Sequence, residues 1–479
     1  LYENYSFLRG IRNLKYQKYY RLRILGFIFM KKGMFFALAA SSLLFGACSS
    51  DDAVVNTTAQ NEAVQQIVLQ VASSGDGLTT RAGRPLYSSQ ALQTIQNVCV
   101  VIYKDDATKT IVKKTKLNWK DSKTYDNHGR QLTLTYKGND RLDAGNYKVM
   151  AVGYSDNSDY NYSLDVTSTT ALTGDYSDIT ATLKEGKKEA EEVFAGDAEL
   201  KIGVDKNITN FTSGEKNGVA VTLHRQVAGS FGYFQNIPAS VNGKAAATLR
   251  LVVRGKNDKL TFNNFNSSFT TTGNTIKYYV NGSTSTGAAL TTTDKFSNGE
   301  DGYVLYSINL KTWFPQLDEN GDGVLNAQDS HWNRPDDVKT QVVKGSVFGS
   351  NFVIPFKYTE GKNTMELQLL DADGDIIKHW TVSIPSADVN TNTENGNVAD
   401  ASPSIFNVVR NHMYNLGVKT STGTTTDPDP SNPTPDPKPD PKPTPDPGKD
   451  EPEDLTKSQN LILKVNDNWE VIHKMELGD

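Results

Sequence analysis

Val98-Cys99-Val100-Val101-Ile102-Tyr103 is the stretch that most directly indicates the fold of this chain. Six apolar side chains, most of them β-branched or aromatic, stand in a row between polar neighbours, as in a buried strand. Similar short runs, broken by Gly, Asn, Asp and Ser, continue to about residue 420. They predict strands over 67–71, 132–136, 147–152, 219–223, 229–234, 247–253, 276–280, 303–310, 352–358, 365–370 and 376–384. Their spacing predicts an all-β protein of two antiparallel β-sandwich domains with Greek-key-like connections.

Helical signal is sparse, and it predicts only short helices over 86–96 and around 190–193. The chain has two cysteines, Cys48 and Cys99, so no disulfide framework holds the fold together. Cys99 lies inside an apolar strand pattern, where a buried thiol usually acts as a small hydrophobic side chain.

The charge of the chain is unevenly distributed. Its formal net charge is −5, from 50 Lys and Arg against 55 Asp and Glu. Residues 1–32 hold eight of the bases and only one acid, which leaves 42 bases and 54 acids in the remainder, a net of −12. Nucleic-acid binding is therefore not expected, because neutralisation of phosphates supplies most of that affinity.

A secretion signal begins at Met30, with two lysines followed by an uncharged stretch over 33–44 that is too short to span a bilayer. Residues 44–48 then read Leu-Phe-Gly-Ala-Cys and resemble a bacterial lipobox, which implies that Cys48 carries lipid of the palmitate class. Ordinary signal cleavage with Cys48 as a bystander is the alternative. Acidic residues directly after Cys48 resemble a surface-export signal of Bacteroidetes lipoproteins. We interpret residues 1–29, which are basic and aromatic, as an extension of the gene model. A basic amphipathic anchor is the alternative.

The rest of the chain divides by composition. We expect a signal peptide over 30–47, a propeptide with the first strand over 48–81, and sandwich domains over 82–225 and 226–420, followed by an Asp/Pro-rich spacer over 421–457 and terminal strands over 458–479. Eleven of the 18 prolines lie in 427–452, and a polyproline II segment of that length spans about 80 Å.

The chain becomes apolar again beyond this spacer. Residues 461–465 read as one strand and 469–477 as a second. Two strands alone cannot bury their apolar face in water. The tail therefore either folds back on its own body or adds to the sheet of another subunit. The candidate donor-strand residues are Leu461, Leu463, Val465, Trp469, Val471, Met475 and Leu477.

The order of these features resembles the FimA-type fimbrillins, the subunits of type V pili of Bacteroidales. The features are the lipobox, the strand at 67–71 followed by Thr79-Thr80-Arg81-Ala82-Gly83, two β domains, the segment 408–414, the Asp/Pro spacer and a terminal strand pair with Trp469. The resemblance implies a precursor lipidated at Cys48 and cut between Arg81 and Ala82 by an Arg-specific protease. It further implies that a terminal strand pair of a neighbouring subunit replaces the lost first strand and so builds a filament. Arg84 is a second possible cleavage site, but Pro85 follows it and disfavours cleavage of that bond.

Asp318-Glu-Asn-Gly-Asp-Gly-Val-Leu-Asn-Ala-Gln-Asp329 fits the twelve-residue calcium loop. Its expected Ca²⁺ ligands are Asp318, Asn320, Asp322, the Val324 carbonyl, Asn326 and Asp329. Asp at the last position resembles the dockerin form of the loop. An Asx-rich turn without an ion is the alternative. Residues 371–375 are also acidic, but their glycine, Gly374, is at position 4 of the pattern instead of position 6, so they predict a hairpin turn.

We expect that the protein is not an enzyme, because the sequence contains no HExxH, Gly-x-Ser-x-Gly, P-loop or Cys-x-x-Cys pattern and its six histidines are scattered.

Our hypothesis is that the protein is a subunit of a pilus, most simply of its stalk, and that it supports adhesion. An anchor or tip subunit is the close variant, and a monomeric glycan-binding surface lipoprotein is the rival. Expected partners are other pilus subunits in a homopolymer, an Arg-specific protease, the outer membrane through the lipid, and host or bacterial surface ligands. The expected location is the cell surface, first as an outer-membrane lipoprotein precursor and then in the fimbrium.

Overall fold

The computed structural model describes residues 64–71, 95–125, 129–211, 218–263, 265, 269–272, 275–278, 280–285, 292–338, 340–356, 365–383, 393–395, 408–419, 450–457 and 460–466. Within these ranges the regular secondary structure consists almost entirely of strands. One short helix, α1 (Leu310–Trp313), and two 3₁₀ turns (Trp119–Asp121 and Gly138–Asp140) interrupt them. The prediction of an all-β protein is confirmed.

The first ten strands precede residue 226. They are β1 (Val64–Val71), β2 (Asn97–Lys104), β3 (Ile111–Asn118), β4 (Lys123–Tyr125), β5 (Gly129–Lys137), β6 (Gly145–Tyr154), β7 (Tyr160–Tyr162), β8 (Thr180–Leu183), β9 (Phe194–Ile202) and β10 (Gly218–Arg225). Eight of these ten form one sheet in the order β3-β2-β6-β9-β10-β1-β5-β4. Because β9 and β10 pair only through His224 and Arg225, the sheet folds at that corner into two halves. Residues of both halves share a core that includes Leu69, Val100 and Val221, so this region is a sandwich.

The apolar run over 98–103 is explained by burial on both faces of β2. Val98, Val100 and Ile102 enter the core of the first sandwich. Cys99, Val101 and Tyr103 face the other way, into a second core that continues into the C-terminal half. A strand covered on both faces needs apolar side chains at every position, which removes the usual alternation.

The remaining strands follow residue 226. They are β11 (Ala228–Gln235), β12 (Ile237–Pro238), β13 (Ser240–Val241), β14 (Lys244–Ala245), β15 (Thr248–Val253), β16 (Lys259–Thr261), β17 (Phe269–Thr272), β18 (Thr275–Tyr278), β19 (Gly282–Ser283), β20 (Tyr303–Asn309), β21 (Val324–Leu325), β22 (Ser346–Val353), β23 (Met365–Leu370), β24 (Ile376–Ser383), β25 (Thr393–Asn395), β26 (Met413–Leu416), β27 (Glu453–Asp454), β28 (Asn460–Ile462) and β29 (Lys464–Asn466). Two five-stranded sheets build the second sandwich: β20-β15-β23-β24-β28, and β22-β11-β26-β29 with β27 added beside β11.

The two halves of the chain are joined by a shared sheet. β7 and β8 come from before residue 226, β16 and β19 come from after it, and the four form one sheet in the order β19-β16-β8-β7. At the junction, the buried Arg225 Nε donates to Glu192 Oε1 over 2.8 Å, and Arg225 Nη1 donates to Asn411 Oδ1 over 3.3 Å. The chain passes from β10 to β11 here, close to the expected boundary, but the two sandwiches are not separate bodies.

The predicted strands lie within three residues of observed ones, except for 352–358. There β22 ends at Val353, and Phe356 forms an isolated bridge with Val408. The helix expected around 190–193 is wrong: Ala190 forms a bridge with Phe352, and β9 follows directly. Of the helix over 86–96 only Ile95 and Gln96 are described, and they are not helical. The turn over 371–375 is confirmed, since it connects the antiparallel strands β23 and β24.

The sheets are mainly but not purely antiparallel. β1 pairs parallel with β10, β26 and β27 pair parallel with β11, β25 with β18, and β28 with β24. In each of these pairs the two strands are far apart in the sequence. Hairpin connections therefore do not set their direction, and the antiparallel prediction fails at these places.

Candidate functional site

The first described strand, β1, lies in the interior of the N-terminal sheet. It is antiparallel to β5 along Val64–Val71 and parallel to β10 along residues 66–71. Ile67, Leu69 and Val71 are essentially fully buried in the core of the first sandwich. Loss of β1 would uncover that core and leave two strand edges unpaired, a state that favours any strand able to fill the gap.

Gln65 anchors the beginning of β1. Its side chain is 1% exposed. Gln65 Nε2 donates to the Leu142 carbonyl over 3.0 Å and to the Lys206 carbonyl over 2.9 Å, and Gln65 Oε1 accepts from the Leu142 N–H over 2.7 Å. The site thus presents two acceptors and one donor, which matches a carboxamide and no charged group. Sequence reasoning missed this residue, because its importance depends on loops far along the chain.

The lipidation and cleavage residues, Cys48, Arg81 and Ala82, lie outside the described residues. The described chain ends after β1 at Val71 and resumes at Ile95, just before β2. A cut after Arg81 would fall between these two points and would separate β1 from the rest of the sandwich.

The first part of the C-terminal tail is paired within the chain's own second sandwich. Instead of one strand over 461–465, the structure has β28 beside β24 and β29 beside β26, so the tail crosses from one sheet to the other. Leu461 and Leu463 are buried in the core. Val465 lies in β29, opposite Tyr414. Of the two possibilities expected for the tail, the structure places this part on its own body. Trp469, Val471, Met475 and Leu477 lie outside the described residues.

The Asp/Pro-rich segment begins and ends at the same place. Lys419 Nζ lies 2.9 Å from Asp450 Oδ2, both side chains are almost completely buried, and Val418 forms a bridge with Glu451. Tyr233 Oη donates to the same Asp450 oxygen over 3.0 Å. Burial lowers the pKa of Lys419, and Asp450 opposes that shift. We call Lys419, Asp450 and Tyr233 the clamp. It brings together the residues that flank the segment 420–449, which lies outside the described residues. Within residues 450–457, β27 pairs with β11 of the second sandwich.

The calcium-type loop is held together by its own carboxylates. Gly323 N–H donates to Asp318 Oδ1 over 3.0 Å, and Val324 N–H donates to Asp322 Oδ1 over 2.8 Å. Gly323 has a φ of +82°, which glycine adopts without strain. The buried carboxylate of Asp329 accepts the backbone N–H groups of Asn326 over 2.8 Å and Glu319 over 3.1 Å, and thereby closes the loop.

The donor set of this loop is mixed. In the described part of the chain, no three His, Cys, Asp or Glu side chains are grouped as metal ligands. A cation held here would therefore depend on the Asn320 and Asn326 amides and the Val324 carbonyl as well as on Asp318 and Asp322. Oxygen ligands of this kind suit Ca²⁺ better than a transition metal.

Two further observations on the described residues concern the reactivity of Cys99 and the presence of membrane-spanning helices. Cys99 is a free, buried thiol whose pKa is raised to about 12 by burial, as expected for an inert core side chain. No helix in the described ranges is long and apolar enough to cross a membrane.

A family model described as "Fimbrillin-A associated anchor proteins Mfa1 and Mfa2" matches residues 74–329, more than half of the chain. No curated protein matches. Several solved structures are similar. The fimbrial anchor protein Mfa2 of Porphyromonas gingivalis is 11% identical, with 74% of this chain and 90% of that chain covered and a TM-score of 0.31.

Two more solved structures are similar at the same level. The tip fimbrial protein Mfa3 of P. gingivalis, with a C-terminal truncation, is 8% identical over 74% of this chain and 94% of that chain, with a TM-score of 0.33. A fimbrial assembly protein of Parabacteroides distasonis is 14% identical over 75% and 92%, with a TM-score of 0.32.

Proposed function

Because the chain belongs to the family of fimbrillin-A associated anchor proteins Mfa1 and Mfa2, we propose that it is a subunit of a surface pilus. In this proposal it is exported as a lipoprotein on Cys48 and joined to its neighbours by exchange of a β-strand. It supports adhesion to host or bacterial surfaces from the cell surface. The family match supports a fimbrial protein of the anchor type, which is a coarser statement than membership of the FimA-type fimbrillins.

The position of β1 carries this proposal. A strand at the amino-terminal end of the described chain is paired on both edges and buried, yet it is linked to the next strand only through residues 72–94. Cleavage after Arg81 would leave β1 attached by noncovalent contacts alone. A strand from another subunit could then take its place, because strand addition reuses the same backbone hydrogen bonds.

The place of the subunit in the pilus follows from the fate of its amino terminus. A stalk subunit would lose Cys48 and its lipid with the propeptide. An anchor would keep both and retain β1 in the sheet. The anchor is the second candidate function, and the family match supports it.

The mature amino terminus distinguishes these two cases. We would isolate the protein from surface filaments and determine its first residue by mass spectrometry. Ala82 identifies a cleaved subunit, and an acylated Cys48 identifies an anchor. For a cleaved subunit, Arg81→Ala should leave a full-length lipidated monomer, whereas Arg84→Ala, the matched control, should assemble normally. Normal filaments from Arg81→Ala would remove the cleavage step from the proposal.

A further inference from the structure

The turn that follows β9 exposes an apolar side chain at its tip. Gly203 N–H donates to the Asn207 carbonyl over 2.8 Å, and Lys206 N–H donates back to the Gly203 carbonyl over 2.9 Å. Val204 lies within this turn and is 97% exposed. Turns favour Gly, Asn, Asp and Ser, so the backbone gives no reason for a β-branched valine here. Packing gives none either, because almost the whole side chain is in solvent.

A second exposed apolar side chain, Phe211, lies on the same end of the first sandwich and is 53% exposed. The residue before it, Asn210, is held against the end of β9. Asn210 Nδ2 donates to the Glu199 carbonyl over 2.8 Å, and Asn210 Oδ1 accepts from the Lys201 N–H over 2.7 Å. Phe211 therefore lies beside the last residues of β9, on the order of 10 Å from the tip at the rise of an extended strand.

The same turn contacts the beginning of β1. Gln65 Nε2 donates to the carbonyl of Lys206, which is two residues beyond Val204, over 2.9 Å. The chain that leads into β1 comes from Cys48, and 15 residues separate Cys48 from Val64. Fully extended, they span at most about 55 Å. A lipid on Cys48 therefore tethers the end of the first sandwich that carries the turn.

The second sandwich begins at the other end. β10 runs parallel to β1, with Gly218 beside Gln66 and Leu223 beside Val71, and it ends at Arg225 at the junction. The chain thus enters the second sandwich at the end of β1 that lies away from the turn. A membrane that meets the tethered end leaves the second sandwich pointing outward.

The tethered end differs in charge from the rest of the protein. Residues 137–146 and 199–211, which form its two described loops and their flanks, hold four bases and four acids. Their net charge is zero, whereas the chain beyond residue 32 has a net charge of −12. Lys206 Nζ lies 2.6 Å from Asp143 Oδ1 and so neutralises one of these acids beside the tip. This end is therefore not repelled by anionic headgroups, unlike an acidic surface.

We infer that this end of the first sandwich rests on the lipid bilayer, with Val204 inserted below the headgroups and Phe211 at their level. Apolar side chains of proteins that lie on a bilayer are buried about 5 to 10 Å into the boundary between headgroups and acyl chains, which matches the offset between these two residues. The inference rests on the proposed lipidation of Cys48 and assigns the protein surface that meets the membrane. We call Val204 and Phe211 the membrane contact.

Dye-labelled cysteines test the membrane contact. The full lipidated precursor, with Arg81→Ala to prevent cleavage, is reconstituted into phosphatidylcholine vesicles that carry a doxyl spin label on the acyl chains. A fluorescent dye is attached at Val204→Cys or at Asp373→Cys, an exposed turn position of the second sandwich. Cys99 stays unlabelled, because it is buried and burial raises its pKa to about 12. We expect the spin label to quench the dye at position 204 at least about threefold more than at position 373.

A second set of variants tests the two side chains themselves. The dye is now attached at Ala144→Cys, an exposed position directly before β6, whose first residue pairs with the last residue of β9. Val204→Ser combined with Phe211→Ser should reduce the quenching at least about threefold, because less apolar surface enters the lipid. Both side chains are exposed, so the core stays intact. Val112→Ser is the matched control: Val112 is 36% exposed within β3, and its replacement should leave the quenching unchanged.

Equal quenching at positions 204 and 373, or an equal loss in the double variant and in Val112→Ser, would overturn the inference. Mass spectrometry of the same sample separates this failure from that of the proposed function. If Cys48 is acylated and the protein binds the vesicles, yet the dye at position 204 is not quenched, the inference fails and the proposed function stands. If Cys48 carries no lipid and the protein does not bind, the proposed lipoprotein fails as well.

Assembled filaments provide one more outcome. Shielding of the dye at position 204 in filaments, without quenching in vesicles, would assign this end to a neighbouring subunit and overturn the membrane contact.

Discussion

Gln65 is a buried amide that forms hydrogen bonds with the backbone of two distant segments. Gln65→Leu keeps the size of the side chain but leaves the Leu142 N–H without this acceptor. We expect the free energy of unfolding of the uncut precursor to fall by about 1 to 3 kcal/mol, measured by urea denaturation. Gln70→Leu is the control, because Gln70 is half-buried and its side chain donates to another side chain, at Thr222 Oγ1. An equal loss in the two variants would contradict the anchoring role of Gln65.

His412 gives the fold a predictable pH dependence. Burial lowers the pKa of His412 to about 4, against 6.5 for an ordinary histidine. Between these two values the unfolded chain binds a proton that the folded chain does not, so the free energy of unfolding falls as the pH falls. The loss at pH 4 is on the order of 3 kcal/mol.

Denaturation at pH 7 and pH 4.5 checks this prediction. His412→Gln should flatten the dependence, although burial also lowers the pKa of His224 to about 4, so part of the slope remains. A slope that is the same in wild type and His412→Gln would show that His412 is not the group responsible.

At the scale of the element, the loop from Asp318 to Asp329 predicts a response to Ca²⁺. An ion that binds only the folded loop raises stability by mass action. At millimolar Ca²⁺, with the affinity usual for extracellular sites, we expect the melting temperature to rise by about 2 to 4 °C. Asp318→Ala combined with Asp322→Ala should abolish the rise. Asp373→Ala, in the acidic hairpin turn, is the control and should preserve it. Identical wild-type melting curves in Ca²⁺ and in EDTA would count against the site.

The clamp predicts that the tail stays bound after its loop is cut. A specific protease site inserted after Thr434 would break the chain between Lys419 and Asp450. The experiment uses precursor that is intact at Arg81 and cut only at the inserted site. We expect its two fragments to coelute in native gel filtration and to separate in denaturant. Lys419→Met leaves Asp450 buried without its cation, at a cost of about 3 to 5 kcal/mol, and should release the fragment.

Lys457→Met provides the comparison for this experiment. Lys457 also pairs with an aspartate, Asp454, but its side chain is 77% exposed. An exposed pair contributes at most about 1 kcal/mol, so the fragment should remain bound. Release of the nicked tail from the wild-type clamp would show that the contacts of residues 450–466 are too weak to hold it.

At the scale of the whole molecule, the shared sheet predicts cooperative unfolding. β8 pairs with β16 across the junction, and Leu260 of β16 is fully buried opposite Ala181. Independent sandwiches would unfold in two steps, whereas joined ones unfold together. We expect one calorimetric transition in the wild-type protein. Leu260→Asp places a charge in the shared sheet and should split the single transition into two. Two transitions in the wild-type protein would contradict the coupling of the two sandwiches through this sheet.

Local chemistry explains which parts of this fold follow from the sequence. Residues 98–103 and 365–370 are recognisable as strands because branched and apolar side chains favour a buried pleated surface whatever the partner strand is. The turn over 371–375 is recognisable because its Asp and Gly residues favour a tight reversal. β9 was not predicted, because polar residues interrupt its apolar pattern. Its position in the sheet depends on pairing with β6 and β10.

The sequence by itself determined the all-β class, most strand positions, the acidic body and the two apolar terminal segments, because each depends on residues close together in the chain. Only the tertiary structure decided that β1 lies between β5 and β10, that Gln65 meets Leu142 and Lys206, and that Lys419 meets Asp450. These contacts join residues 77, 141 and 31 positions apart. Their physical reason is the closure of long loops by burial and hydrogen bonding, which no local pattern of side chains encodes.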